Sequence, residues 1–110
     1  MIYVITGAFM LLDVVTGLVK AFKEKAYTST VMREGLYHKC GYILCVMLAS
    51  MVDYSQGYLD LGVNVPLLEV ICGYIVLNEI GSITENLALI NPELLPDKLK
   101  SYFGKLAERK

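Results

Sequence analysis

All ten Lys and Arg of this 110-residue chain fall in two windows. Lys20, Lys23, Lys25, Arg33 and Lys39 form the first, and Lys98, Lys100, Lys105, Arg109 and Lys110 the second. The stretch 40–97 between them holds none. A soluble domain scatters its cations over its surface, so such clustering asks for a different solvent. Composition points the same way: 55% of residues are hydrophobic and mean hydropathy is +0.52. A domain this small buries only about 60–70% of the surface its unfolded chain exposes, too little to hide that much apolar area from water. The sequence therefore reads as an all-α integral membrane protein, a single membrane domain over 1–110.

Three apolar segments are long enough to cross a hydrocarbon core of roughly 30 Å. They are expected at about 1–19, 36–54 and 66–89. The first resembles a signal peptide in position, but it lacks a basic n-region and an A-x-A-like cleavage site. It is read as a retained span. A polar link follows over 20–35, in which Tyr27-Thr28-Ser29-Thr30 suggests a loop or interfacial turn. Lys39, one turn into the second segment, has a stem long enough to snorkel to the interface. The next link, about 55–64, carries Asp60, Gly57 and Gly62. Asn64 or Val65 is expected near the cap of the third helix, with Pro66 in its first turn. Asn91-Pro92 ends that helix. In the tail 97–110, Leu99, Tyr102, Phe103 and Leu106 fall at helical spacing among Lys98, Lys100, Lys105 and Arg109. That pattern suits a basic amphipathic helix on an anionic inner leaflet, or equally a solvated helix packing on its own protein.

Three spans place both basic windows on one side, and the positive-inside rule makes that side cytoplasmic. The N-terminus is then outside and the C-terminus inside.

Polar residues within the spans are costly in lipid and call for an explanation. On a wheel of about 100° per residue, Thr6, Asp13, Gly17 and Lys20 share one face of the first segment, with Thr16 at its edge. In the third, Asn78, Glu79, Ser82, Glu85 and Asn86 fall within an arc of roughly 120°. Glu69 lies nearly opposite, one turn from the outer end. Gly41, Cys45 and Ala49 set a small-residue repeat on the second segment, which lets helix backbones approach. The plain reading buries the polar stripes between helices of one subunit or of several, with Lys20 and Lys39 partnering Asp13 and the third-segment carboxylates. The functional reading turns them toward a water-filled path once subunits assemble. If ionised, Asp13, Glu79 and Glu85 would also feel a membrane potential, at about 2.3 kcal/mol per 100 mV for a full crossing.

Catalysis finds little footing. His38 beside Lys39 reads as interfacial, Ser82 has no nearby His, and no glycine-rich phosphate loop, HExxH or metal cluster appears. Cys40, Cys45 and Cys72 show no zinc spacing and read as reduced packing residues. The basic windows suit membrane topology better than nucleic acid.

Three stretches carry a family resemblance. Asp13-Val14-Val15-Thr16-Gly17-Leu18-Val19-Lys20-Ala21 resembles a D-x-x-T-G-x-x-K-A pattern closing a first span. Ser29, Gly35 and Lys39 match the spacing that enters the second span, and Asn78-Glu79-Ile80-Gly81-Ser82-Ile83-Thr84-Glu85-Asn86-Leu87 resembles N-E-x-x-S-I-x-E-N-L. These are similar to the small phage-lysis and toxin-secretion holins of Gram-positive bacteria and their phages, although this chain begins directly at the first span, without the leader many members carry. The resemblance implies a homo-oligomer that opens lesions in the cytoplasmic membrane for an endolysin or toxin, with no chemistry and no cofactor. It assigns assembly and lesion lining to Asp13, Thr16, Gly17, Lys20, Asn78, Glu79, Ser82, Glu85 and Asn86. A small ion or proton channel or transporter subunit using Asp13 or Glu79, and a non-conducting adaptor whose tail docks a partner, stand as alternatives.

Overall fold

The computed structural model describes residues 1–25 and 28–93. They form three helices: α1 (Ile2–Glu24), α2 (Ser29–Ser55) and α3 (Leu67–Ile90). At 1.5 Å per residue these are about 34, 40 and 36 Å long, each enough to cross a bilayer core. The expected tail helix, with Lys98, Lys100, Lys105 and Arg109, lies outside the described residues, as does Tyr27.

The helices outrun the apolar segments, most of all at the start of α2. The hydroxyl cluster read as a loop is a helix cap: the Thr28 side chain accepts from the Val31 N–H at 3.2 Å, and Ser29 and Thr30 are already helical. α1 continues to Glu24 and closes on Lys25, whose left-handed backbone (φ 55°) lets its N–H reach the carbonyls of Ala21 and Phe22. The polar link thus shrinks to a few residues, because polar side chains at a membrane interface do not end a helix that keeps its backbone bonded.

α3 is held at both ends by side chains from the other helices. Asp53 of α2 accepts the Leu67 N–H at 3.1 Å and the Leu68 N–H at 2.8 Å, satisfying two donors that the helix itself cannot. The cap position falls on Pro66 rather than Asn64 or Val65, since the carboxylate already supplies the acceptors. At the far end Lys23 of α1 donates to the Leu89 carbonyl at 3.0 Å and to that of Ile90. Between α2 and α3, Gln56 clasps Val63 through its carbonyl (2.6 Å) and N–H (3.4 Å). Asp60 accepts from Gly62, whose positive φ of 74° suits glycine.

These contacts fix the topology. Tyr3 meets Ser50 at 2.6 Å, so α1 and α2 run antiparallel. Lys23 meets the end of α3, so α1 and α3 run parallel. α3 packs on both neighbours, whereas α1 and α2 scarcely touch. The polarity is that of a protein dissolved in lipid. Val4, Leu11, Leu44 and Val70 are among many large apolar side chains left exposed. The buried set holds Thr6, Thr16, Asn78, Glu79 and Asn86 alongside Ala49, Cys72, Ile75 and Ile83. A soluble core excludes such groups, while a bilayer drives them together because lipid offers them no hydrogen bonds.

Candidate functional site: a polar centre shared by three helices

Each helix contributes one charged side chain to a common centre. Lys39 Nζ of α2 donates to Asp13 Oδ2 of α1 at 2.5 Å and to Glu79 Oε2 of α3. The Lys39 and Glu79 side chains are 12% and 2% exposed, so the contact is sheltered from the surroundings. Asp13 and Glu79 stand midway along their helices, and Lys39 lies about three turns into α2. The centre is therefore near mid-membrane depth, not at the interface. Lys39 does not snorkel, because α2 starts at Ser29 and carries it deeper than a segment beginning at 36 would.

A second set of bonds extends the centre along the α1–α3 seam. Asn86 Nδ2 donates to Asp13 Oδ1 at 3.2 Å and to Thr16 Oγ1 at 3.0 Å. The Thr16 hydroxyl in turn donates to backbone carbonyls of Leu12 and Asp13. Asp13 thus receives Lys39 on one oxygen and Asn86 on the other. On the α2 side, Lys39 lies 5.8 Å from the Tyr42 ring centroid. His38 stacks edge-on against Tyr42 at 4.4 Å.

The residues expected to act together divide into two groups. Asp13, Thr16, Asn78, Glu79 and Asn86 converge on the centre. Gly17, Lys20, Ser82 and Glu85 lie beyond it and, together with Asp13 and Asn86, line a groove of about 560 Å³ opening toward the basic end. Among the described residues Lys20 makes no ion pair, so of the two lysines considered as partners only Lys39 serves. Glu85 is exposed. A Cβ on Gly17 would sit 3.7 Å from the Asn86 amide, an ordinary contact. Of the small-residue repeat, Ala49 is buried while Gly41 and Cys45 face outward. No cluster of metal-ligating side chains occurs among the described residues. Asp53 and Lys23, which hold the ends of α3, were not legible as functional. Their signal is a charge one turn from a helix end, facing a neighbouring helix terminus of opposite dipole.

The arrangement has no nucleophile–base pair aimed at a substrate. What it can do is hold three helices in register through a polar contact whose alternative partner is water. A family model described as the bacteriophage holin family matches residues 1–108. No curated protein and no solved structure matches the chain.

Proposed function

The chain belongs to the bacteriophage holin family, and from that premise we propose that it assembles in the cytoplasmic membrane into lesions that let an endolysin or toxin through. The family is a membrane-protein family and not one of enzymes. In the proposed resting state the polar faces of α1 and α3 close on each other and on Lys39. In the assembled state the same residues, Asp13, Thr16, Asn78, Glu79 and Asn86, line the lesion, with Gly17, Lys20, Ser82 and Glu85 at its basic end. That end is cytoplasmic, which puts the N-terminus outside, and Lys98, Lys100, Lys105 and Arg109 meet the inner leaflet.

The observation that carries this reading is the inverted polarity of the bundle. Half-exposed aliphatic side chains surround a buried set of one carboxylate, Glu79, with the amides of Asn78 and Asn86 and the hydroxyls of Thr6 and Thr16. A three-helix subunit of this size encloses no wide pore, so a path for a folded enzyme needs many copies, each turning a polar face inward. Such a face is costly to keep in lipid and is justified by contact with water at some stage.

The test is expression in bacteria together with an endolysin that lacks its own export signal, with turbidity followed over time. Abrupt clearing that needs both proteins is expected. Steady growth, with the chain confirmed in the membrane and the endolysin active, would reject lesion formation in favour of an ion channel centred on Asp13 and Glu79 or a non-conducting adaptor.

A further inference from the structure

Two clefts open on the bundle between α1 and α2. At the end remote from the basic residues, Thr6 and Met10 of α1 and Ile43 and Met47 of α2 line an apolar cleft. At the basic end, Lys20 and Glu24 of α1 and Glu85 of α3 line a mixed one, in which these charged side chains stand among apolar ones such as Leu18 and Leu36. At about 100° per residue the lining positions fall on one face of α1 and one face of α2. The clefts are therefore two halves of a single seam, crossed midway by the Lys39–Asp13 contact and near its far end by Tyr3–Ser50. Carboxylates of the basic-end half outnumber its cations, and among the described residues Glu24 and Glu85 have no ion-pair partner. Lipid covers such a seam poorly.

The opposite face of α2 has the complementary order. Arg33, Tyr37, Gly41, Leu44 and Leu48 lie along it, and all five are exposed. Arg33 stands about one turn in from the start of α2, the depth of Lys20 and Glu85 near the ends of their helices. It too has no ion-pair partner among the described residues. Gly41 stands level with Asp13, where the seam is crossed, and a Cβ built there meets nothing within 4 Å. Leu44 and Leu48 stand level with the apolar half. Charge, bulk and depth thus match from end to end.

We infer that the outward face of α2 of one copy seats in the α1–α2 seam of the next, with Arg33 entering beside Glu24 and Glu85. The inference rests on the proposed assembly of copies and describes the contact between closed subunits, before their polar faces turn to the lesion. Donor and acceptor surfaces differ, so the contact is head-to-tail and propagates into an arc or ring rather than stopping at a pair. α2 then works on both sides, closing its own subunit through Lys39 and docking into the next through Arg33. This also accounts for an arginine and a glycine on a helix face otherwise fit only for lipid.

Oxidative cross-linking in membranes tests it. Cys40 and Cys45, both exposed, are replaced by Ala, and the buried Cys72 stays as a no-added-cysteine control. One tagged copy carries Met10→Cys and a differently tagged copy carries Leu44→Cys. Mixed dimers bearing both tags are expected to dominate. Arg33→Glu in the Leu44→Cys copy should cut their yield severalfold, and Glu85→Arg in the other copy should restore it. Leu44 self-pairs in excess of mixed pairs, no dimer, or a yield indifferent to Arg33→Glu would each overturn the inference. The readout does not use lysis: mixed dimers without enzyme passage would count against the lesion reading while leaving this contact standing.

Discussion

Replacing Lys39 by Met should unbalance the centre more than any other single change. The lysine is the cation between two carboxylates, 2.5 Å from Asp13 and also bonded to Glu79. Removing one partner of a buried ion pair typically costs about 3–5 kcal/mol, because the remaining charge is stranded. At about 1.4 kcal/mol per decade, that is a factor of roughly one hundred to a few thousand in the equilibrium between closed and open bundle. Replacing the whole set is cheaper than removing one member. Lys39→Met with Asp13→Asn and Glu79→Gln leaves amides that can bond to each other, and this triple variant should recover most of the loss. The assay is reversible unfolding of the purified protein by SDS in mixed micelles, followed by helical circular dichroism. The single variant is expected to unfold at a clearly lower SDS fraction than the unaltered chain, with the triple variant between them. A single variant as stable as the parent, or a triple variant no better than the single, refutes the reasoning. In cells the single variant should shorten the delay before permeabilisation at matched protein level.

Other perturbations separate the supports of the fold. Asp53→Ala removes the cap from Leu67 and Leu68 and should cost about 1–2 kcal/mol, with faster hydrogen exchange confined to the first turn of α3. Asn86→Leu loses its bonds to Asp13 and Thr16, worth about 0.6–2 kcal/mol in a membrane setting. A double-mutant cycle with Thr16→Val in the same SDS titration should show coupling, and strict additivity would contradict the shared bond. Leu11→Ala, on a face 65% exposed, should shift stability by no more than about 0.5 kcal/mol.

How much of this was legible in the sequence depends on the range of the interaction. Helix number and type follow from segment length and hydropathy, which are local. The stripes on α1 and α3 follow from helical periodicity, so Asp13, Thr16, Glu79 and Asn86 could be picked out before their partners were known. The depth of Lys39 could not be read, because it hangs on where α2 begins. The hydroxyls at 28–30 fit a cap as well as a loop, and the structure makes Thr28 a cap. Capping of α3 by Asp53 and Lys23 was hidden for another reason: both are tertiary contacts, made by residues far from the helix end along the chain or on another helix. The small-residue repeat shows the limit of pattern reading. Its spacing is right for close packing, yet within the subunit only Ala49 is used.

The central claim is that a polar face closed inside each subunit becomes the wall of a water-filled lesion. Thr16 is the position to watch, since it is buried at 6% exposure beside Asn86. A Thr16→Cys copy, with Cys40 and Cys45 replaced by Ala, should resist a membrane-impermeant thiol reagent before the onset of permeabilisation and react after it. Leu11→Cys, on the lipid face, should stay unreactive throughout. Reaction at Leu11 with Thr16 still protected after onset would mean that the wall is built from the other side of the helix, and the account would fall.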